Sequence, residues 1–217
     1  MMDIYGIYME RLLRPEEYGR LLGLVSAERR SKVRKYRNPE DAHRGLIGEA
    51  LVREIICGRF RVRNEEIAFT AGPYGKPQAA NFPGFHFNLS HSGRWVVCAV
   101  DDQEVGVDIE EMKPLDLEMA RYVFSEEQYR ALLNKEEQAR QAYFYDFWTL
   151  KESWVKLLGV GLSMALPEDP LPCYFKHYEV DSGYKLAVCS RSEAFPERVR
   201  LKGVDALYHL AEASHVL

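Results

Sequence analysis

FYDFWTLKESWVKLLGVGL, residues 144–162, is the stretch that decides how this chain folds. Aromatic and aliphatic residues occupy every side of the helix that it predicts, so most of that helix should be buried. It nevertheless carries Lys151, Glu152 and Lys156. Buried charges are costly unless they are paired or hold an ion, and Glu152 and Lys156 share a face because they are four residues apart. The segment predicts a buried helix with a functional site, although this spacing is also that of an ordinary solvated ion pair.

Length and composition limit the classes of protein to which the chain can belong. Its 217 residues are 47% hydrophobic, which suffices for one domain or two small ones, and its net charge of −4 argues against a nucleic-acid binder. No run approaches the ~20 apolar residues of a membrane span, and the first residues lack the layout of a signal peptide. The four cysteines form no CxxC pair, so no zinc site is indicated. We expect a cytoplasmic protein with reduced thiols.

Charge is distributed unevenly along the chain. Basic residues cluster between Arg29 and Arg63, whereas acidic residues are denser at 101–111 and 126–137. This arrangement suits an anionic ligand that cations hold at one end and a divalent metal holds at the other. Solvated surface charge is the alternative interpretation.

The order of predicted elements indicates an α+β fold. Asn38 followed by proline begins a long helix that Gly58 should end, and Ser125 begins a capping box ahead of the apolar helix. Strand-like runs follow the first long helix and a closing hairpin follows the second, at 85–89, 95–100 and 105–109, and at 173–180 and 184–189. The first three strands predict an antiparallel meander. A long helix followed by strands thus occurs twice, without a βαβ rhythm.

A second acidic cluster lies in the strand VGVDIE, residues 105–110. Because side chains alternate along a strand, Asp108 and Glu110 should point to the same face, ~6.6 Å apart. Two carboxylates on one face repel each other unless a cation lies between them, and Mg²⁺ prefers hard oxygen ligands. Most such pairs are simply solvated, but Glu152 would add a third carboxylate, which favours a metal site.

The segment FNLSHS, residues 87–92, ends another strand in a polar turn. Ser90 and His91 can donate hydrogen bonds to a phosphate group, with help from backbone N–H groups of the turn. The alternative is a turn in which these side chains satisfy the local backbone.

Together, FNLSHS, VGVDIE and FWTLKESWVKLLGVGL at 147–162 resemble the signature of the 4′-phosphopantetheinyl transferase superfamily. The arrangement is similar to the larger, pseudo-dimeric branch of that family, the surfactin-synthetase-activating type. The likeness covers nearly the whole chain, through MDIYGIYMER at the start and the segments at 36–53, 74–77 and 178–189.

The resemblance implies a fold of two similar α+β halves, 1–102 and 103–217, related by a pseudo-twofold axis with coenzyme A in the cleft between them. The family transfers the 4′-phosphopantetheine arm of coenzyme A to a serine of an apo carrier protein and releases adenosine 3′,5′-bisphosphate. It needs Mg²⁺, for which Mn²⁺ can substitute. The resemblance favours a monomer that acts on peptidyl, acyl or aryl carriers of nonribosomal peptide and antibiotic biosynthesis.

The resemblance also implies roles for individual residues. Asp108, Glu110 and Glu152 would hold the metal. Glu152 is the first choice for the base and Glu110, acting through water, is the second, while Lys156 would stabilise or protonate the leaving bisphosphate. Further coenzyme A ligands would be Arg29, Lys32, Arg44 and His91 at the 3′-phosphate, Ser90 at the pyrophosphate, and Tyr74, Gly75 and Lys76 at the adenine.

Two positions depart from the surfactin-type pattern. Gly45 stands where that enzyme has a threonine, so only its backbone N–H can contact the nucleotide phosphate. Arg29 stands where that enzyme has a lysine, which keeps the charge and changes the geometry.

The carrier protein should dock on residues 115–133, a region that the family uses for this purpose. Exposed aromatic residues beside an arginine suit an interface, and the candidates are Leu115, Arg121, Phe124 and Tyr129. A plain amphipathic helix is the alternative for this segment. For the whole chain, a coenzyme A-binding module without turnover and a metal-dependent phosphohydrolase are the competing functions, and the complete motif set favours the transferase.

Overall fold

The structure is a computed structural model that describes residues 1–72, 74–160 and 172–212. Pro73 of the predicted loop and Gly161 and Leu162 at the end of the third motif lie outside the described residues. The strands are β1 (Asp3–Tyr8), β2 (Phe69–Ala71), β3 (Pro77–Ala79), β4 (His86–Ser92), β5 (Trp95–Asp101), β6 (Val105–Glu111), β7 (Tyr174–Tyr178), β8 (Tyr184–Ser190) and β9 (Arg200–Leu201). The helices are α1 (Pro15–Leu24), α2 (Ala27–Val33), α3 (Pro39–Phe60), α4 (Leu117–Val123), α5 (Glu126–Leu133), α6 (Glu137–Leu158) and α7 (His209–Glu212).

Capping residues set where the helices begin. The predicted caps at Ser26, Asn38 and Ser125 are confirmed, because each side chain accepts a hydrogen bond from a backbone N–H of its own first turn. The prediction that Gly58 ends the first long helix was wrong. Helix α3 continues through it and stops at Arg61, which adopts the left-handed conformation with φ of 54°. Packing along the buried face of α3 outweighs the ~1 kcal/mol helix cost of a single glycine.

The strands form two main sheets rather than one. The first has the order β4-β5-β1-β9 and the second the order β6-β8-β7, while β2 and β3 form a separate pair. The predicted meander was therefore half right: β4 and β5 pair antiparallel, but β6 leaves that sheet and pairs with β8. The predicted closing hairpin of β7 and β8 is confirmed.

Two hydrophobic clusters hold the layers together. The first lies between α3 and one face of the first sheet, with Leu46, Leu51 and Ile7 fully buried. The second lies between the other face of that sheet and the second sheet, where Val107 and Ile109 are buried. Because side chains alternate along β6, the remaining residues of this strand face α6. The layers run α3, first sheet, second sheet, α6, which is a mixed α+β architecture.

Helix α6 is buried as its composition predicts. Every residue from 140 to 158 is buried or half-buried, and the helix ends at Gly159, whose φ of 70° is left-handed. Among the described residues, no helix has the length and apolar character to cross a membrane.

Candidate active site

Strands β4 and β6 belong to different sheets but lie side by side. Three side chains of β4 accept hydrogen bonds from alternate backbone N–H groups of β6, a strand edge that would otherwise be open. These bonds run from Val107 N to Asn88 Oδ1 (2.9 Å), from Ile109 N to Ser90 Oγ (3.2 Å) and from Glu111 N to Ser92 Oγ (3.0 Å). We call this row the polar seam. It joins the two sheets next to the predicted carboxylates.

Asp108 lies at the centre of the polar seam and is 2% exposed. Its Oδ1 accepts hydrogen bonds from Ser90 Oγ at 2.9 Å and from Lys156 Nζ at 2.6 Å. Its Oδ2 is buried and has no hydrogen-bond partner among the described residues. Lys156 therefore neutralises Asp108 directly, and one oxygen of the carboxylate is left for another ligand.

Glu152 precedes Lys156 by one turn of α6, and its buried Oε1 has no hydrogen-bond partner in the described part of the chain. Burial raises the pKa of this carboxyl group to about 7; the neighbouring Asp108 carboxylate adds to the rise, and Lys156 opposes it. A carboxyl group with this pKa can take up or release a proton near neutral pH. The environment of Glu152 thus suits a general base.

The close approach of α6 to β6 depends on Gly106. A Cβ atom at this position would clash with the carbonyl oxygen of Ser153 and lie 2.5 Å from the backbone nitrogen of Leu157. Only glycine leaves room for the helix backbone to lie against the strand. This contact brings Glu152 and Lys156 within reach of the acidic strand.

Glu110 faces α6 together with Asp108, as the alternation of side chains predicts. Its Oε2 accepts a hydrogen bond from Ser92 Oγ at 2.9 Å, and its Oε1 accepts one from Trp148 Nε1 at 3.4 Å. Burial, reinforced by the charge of Asp108, raises the pKa of Glu110. Its carboxylate is thus held by one residue from each of the two flanking elements.

A cavity of about 300 Å³, which we call the acidic cavity, opens between these elements. It brings together predicted site residues from both parts of the chain, namely Arg29, Arg44, Ser90, His91, Asp108, Glu110, Glu152 and Lys156. Three of its charged residues carry a buried polar atom that has no partner among the described residues: Arg44 Nε, Asp108 Oδ2 and Glu152 Oε1. Such atoms are rare inside proteins, and three of them on residues that line one cavity make it the candidate binding site.

Arg44 and His91 supply hydrogen-bond donors to the lining of the acidic cavity. Arg44 is held by protein groups, since it donates to the carbonyl oxygen of Gly93 at 2.6 Å and to the carboxylates of Asp41 and Glu40 at 2.7 and 3.2 Å. The His91 ring stays accessible at the mouth, but surrounding protein desolvates it, and this effect together with the charges of Arg44 and Lys156 lowers its pKa. His91 is therefore neutral at pH 7 and can donate one N–H.

A second cavity of about 220 Å³, the nucleotide cavity, adjoins the first and shares Arg29 and Leu89 with it. Arg29 and Lys32 supply cations, which pair with Glu49 and Glu28 of the same lining, and Phe69 and Phe87 supply aromatic walls. Cations beside aromatic rings suit a phosphorylated nucleotide.

The three residues predicted to contact adenine do not all line the same cavity. Gly75 lines the nucleotide cavity, whereas Tyr74 is 58% exposed and lines a separate groove. The ammonium of Lys76 donates to Glu104 Oε2 at 2.9 Å and to the backbone carbonyl oxygens of Leu157 and Val105 at 3.0 and 3.1 Å. Lys76 thereby ties the loop to β6 and to the end of α6.

Ser90 has little capacity left for a phosphate. Its hydroxyl donates to Asp108 Oδ1 and accepts from Ile109 N and from Lys156 Nζ. A hydroxyl has one donor and two acceptor lone pairs, so all of its sites are in use. A phosphate oxygen would have to compete with Asp108 for the Ser90 proton.

The oxygen atoms that line the acidic cavity are of the chemical type that Mg²⁺ prefers as ligands. Asp108 Oδ2 and Glu152 Oε1 are hard oxygen atoms without partners in the described part of the chain, and Mg²⁺ usually takes one or two carboxylates with waters and phosphate oxygens. The described residues contain no group of three or more His, Cys, Asp or Glu that is arranged to hold a metal ion by itself. The ammonium group of Lys156, which pairs with Asp108, neutralises part of the negative charge of these carboxylates.

The predicted carrier-docking segment contains a loop and two short helices. Phe124 is buried, with its ring centroid 5.4 Å from that of Phe144, so its ring packs the end of α4 onto α6 rather than facing solvent. Arg121 is exposed, while Leu115 and Tyr129 are half-buried. The aromatic side chain that this segment does expose is Tyr122, at 93%.

Sequence reasoning missed several residues that shape the site. Ser92 and Asn88 belong to the polar seam, and their alternation with Ser90 was the available signal. Glu49 lies buried beneath Arg29, and nothing in the local sequence distinguishes it from an ordinary helix acid. Its role depends on a contact that spans more than twenty residues.

The chain matches two family profiles. Residues 104–194, which include β6 and α6, match the profile of the 4′-phosphopantetheinyl transferase superfamily, and residues 14–103 match the profile described as 4′-phosphopantetheinyl transferase, N-terminal. The chain belongs to the 4′-phosphopantetheinyl transferase superfamily.

Individual relatives place the chain within this family more closely. It is 43% identical to 4′-phosphopantetheinyl transferase Sfp of Bacillus subtilis (strain 168), over 95% of this chain and 100% of that protein. It is 40% identical to 4′-phosphopantetheinyl transferase psf-1 of Bacillus pumilus, over 92% of this chain and 94% of that protein. It is 34% identical to 4′-phosphopantetheinyl transferase gsp of Aneurinibacillus migulanus, over 76% of each chain.

Proposed function

We propose that this protein transfers the 4′-phosphopantetheine arm of coenzyme A to a serine of apo carrier proteins and releases adenosine 3′,5′-bisphosphate. One observation carries the proposal in a chain of this family. Glu152, a buried acid with pKa of about 7 and an oxygen without a partner among the described residues, lies beside Asp108 and Lys156 in a cavity that shares Arg29 with the nucleotide cavity.

The transfer step forms one bond and breaks one bond. The hydroxyl oxygen of the carrier serine attacks the β-phosphorus of the coenzyme A pyrophosphate, and the bond from that phosphorus to the bridging oxygen breaks. The serine proton passes to the carboxylate of Glu152, whose raised pKa makes it an effective acceptor near pH 7. Glu110, acting through a bound water, is the second candidate for the base.

The leaving bisphosphate keeps the bridging oxygen and its electron pair. Lys156 is placed to stabilise that negative charge or to give the oxygen a proton, once its ammonium moves from Asp108 to the phosphate. Asp108, Glu110 and Glu152 would hold Mg²⁺, or Mn²⁺ in its place. A divalent metal neutralises charge on the pyrophosphate when it is bound.

The nucleotide end of coenzyme A belongs in the basic part of the site. Arg29, Lys32, Arg44 and His91 would contact the 3′-phosphate. Arg29 lines both cavities, Lys32 lines the nucleotide cavity, and Arg44 and His91 line the acidic cavity, each with a positive or donor group. Gly75 would line the adenine site, and contacts from Tyr74, Lys76 and Ser90 stay predictions. Lys76 and Ser90 would first have to release their present partners.

The same proposal covers the organisation of the chain. Two halves, 1–102 and 103–217, would be related by a pseudo-twofold axis, with coenzyme A in the cleft between them. The two long helices of equal length and the cavity lined from both sides support this arrangement. A chain that supplies both sides of its own site is expected to act as a monomer. Its four cysteines are free, as is usual in the cytoplasm, where we place the reaction.

The carrier protein would dock along residues 115–133. Arg121 and Tyr129 remain candidates, and exposed Tyr122 and Met119 replace buried Phe124 as the apolar contacts. Peptidyl carriers of nonribosomal peptide synthesis are the first substrates to test, and acyl and aryl carriers are the next.

The test is intact-mass spectrometry of an apo peptidyl carrier protein after incubation with this protein, coenzyme A and Mg²⁺. We expect a gain of one phosphopantetheine, no gain in EDTA, and recovery when Mg²⁺ or Mn²⁺ is restored. The Glu152→Gln variant is the matched control, because it keeps the size of the side chain. Release of adenosine 3′,5′-bisphosphate without any carrier would instead indicate a phosphohydrolase.

A further inference from the structure

Glu49 is a buried acid that the proposed chemistry does not use. It lies in the middle of α3 on the wall of the nucleotide cavity, with its side chain 8% exposed. Its Oε1 accepts from Ser26 N at 2.6 Å and from Arg53 Nε at 3.0 Å. Its Oε2 accepts from Ser26 Oγ at 3.1 Å and from Arg29 Nε at 3.2 Å. Each oxygen therefore has two donors, and the carboxylate is fully satisfied.

These contacts fix the first turn of α2 against α3. Ser26 is the N-cap of α2, and its hydroxyl also accepts a hydrogen bond from Arg29 N at 3.1 Å. Glu49 thus holds both the cap and the side chain that follows it by one turn. Without this carboxylate, α2 and Arg29 would lose their common anchor.

The contact with Glu49 determines how Arg29 presents its charge. Only Nε of the guanidinium is used, and neither terminal nitrogen has a hydrogen-bond partner among the described residues. Nη1 lies 3.4 Å from the position that a Cβ atom would take on Gly45, so the guanidinium extends over this glycine. Arg29 forms part of the wall of both cavities at this point. Its two terminal NH₂ groups are a fork suited to a phosphate.

We propose that Glu49 is a positioning residue for substrate binding. It accepts a hydrogen bond from Arg29 Nε and thereby orients the two terminal NH₂ groups of Arg29 toward a phosphate of the nucleotide. This inference rests on the proposed function, because it assigns coenzyme A as the ligand.

A purely structural role for Glu49 makes a different prediction. Glu49 also pairs with Arg53, which contacts Asn64 and has no part in the cavity walls given above. If stabilising α3 were the whole role of Glu49, its loss would lower thermal stability and leave the affinity for coenzyme A unchanged. If Glu49 acts through Arg29, the loss of affinity depends on the presence of Arg29.

The experiment is a double-mutant cycle with coenzyme A binding measured by calorimetry in the absence of carrier. We expect Glu49→Gln and Arg29→Gln each to raise the Kd roughly tenfold, the effect of one charged hydrogen bond. The double variant should bind no more weakly than Arg29→Gln alone, because the proposal assigns the effect of Glu49 on the ligand to Arg29. Losses that add in the double variant would overturn the proposal.

Glu54→Gln is the matched control. Glu54 is on the same helix and pairs with Lys202 Nζ at 2.8 Å, outside both cavities, so its Kd should stay within twofold of wild type. A Glu54→Gln loss equal to that of Glu49→Gln would mean general loosening of α3 and would overturn the inference. If Glu49→Gln does not fold, Glu49→Asp keeps the charge and withdraws the carboxylate. Weakened binding in that variant supports the proposal, and wild-type affinity refutes it. A wild-type protein that does not bind coenzyme A would refute the proposed function itself.

Discussion

Helices α3 and α6 are both 22 residues long, both cover a sheet and both carry buried charge, but they treat that charge differently. On α3, Glu49 and Arg53 satisfy each other and their neighbours. On α6, Glu152 is buried with one oxygen unpartnered in the described part of the chain. A buried charged group whose hydrogen bonds are all made stabilises one arrangement of the chain. A buried charged group beside a cavity with an unpartnered atom is available to bind a ligand or to take part in catalysis.

Arg44 refines this contrast, because it lies on α3 and yet behaves like the residues of α6. Its terminal nitrogens are held by protein oxygens, and its buried Nε has no partner among the described residues. Arg44 lines the same cavity as Glu152 and Asp108. Within the described part of the chain, unpartnered buried atoms of charged residues therefore occur on both helices, and those of Arg44, Asp108 and Glu152 belong to residues that line the acidic cavity.

The largest expected effect comes from Glu152→Gln. Removing a general base typically costs 10²–10⁴-fold in rate, so we expect transfer to fall by about that factor. Single-turnover transfer of phosphopantetheine, followed by mass spectrometry, measures it. Wild-type turnover would remove Glu152 from the mechanism and break the contrast between the helices.

The same variant also tests protein stability, and the raised pKa of Glu152 determines whether the substitution should raise or lower the melting temperature. A carboxyl group with a pKa of about 7 in the folded protein, against 4.5 unfolded, destabilises the fold progressively as pH rises from 4.5 to 7. In metal-free buffer, Glu152→Gln should match wild type at pH 4.5 and gain in melting temperature by pH 8. A melting temperature that falls at pH 8 would mean that the Glu152 carboxylate is satisfied after all.

Lys156→Ala should have the next largest effect. The ammonium pairs with buried Asp108 at 2.6 Å, so its removal leaves a buried charge uncompensated, and it also removes the proposed stabiliser of the leaving group. We expect kcat to fall by about 10²-fold, more than the affinity for coenzyme A falls. Steady-state kinetics and calorimetry separate the two. The reverse pattern would make Lys156 a binding residue.

His91→Ala should weaken binding without abolishing the chemistry. One lost hydrogen bond to a phosphate corresponds to roughly tenfold in Kd for coenzyme A, and dephospho-coenzyme A should be affected less. Calorimetry with both ligands measures the difference. Equal losses would refute the assignment of His91 to the 3′-phosphate.

Trp148→Phe should have the smallest effect. The hydrogen bond from Trp148 Nε1 to Glu110 is long, at 3.4 Å, and Ser92 still holds the other oxygen of that carboxylate. We expect a loss of about two- to fivefold in kcat/KM and little change in melting temperature. A loss as large as that of Lys156→Ala would place Trp148 among the residues that the reaction requires.

Local sequence patterns predicted the helices and strands of this fold better than they predicted which strands pair with each other. The caps at Ser26 and Asn38 and the buried character of α6 follow from neighbouring residues, and so they were predictable. That β6 leaves the first sheet was not, because β8 pairs with it from some eighty residues away.

The site shows the same limit. Asp108, Glu110 and Glu152 stood out because they interrupt apolar segments, and the alternation along β6 gave the shared face of the first two. The contacts of Lys76 with Leu157 and of Glu49 with Arg29 did not stand out, because charged residues on loops and helices are usually solvated. Only the folded chain shows that these two are enclosed.

The polar seam has a consequence for producing the protein in pieces. The side chains of β4 cover the N–H groups along the free edge of β6, and a fragment that begins near Glu104 would lack them. A bare strand edge is a template for pairing with other chains, so this fragment is expected to aggregate when expressed alone. Co-expression with residues 1–103 should keep it in solution, and the split protein would then become a reporter of association between two fused partners.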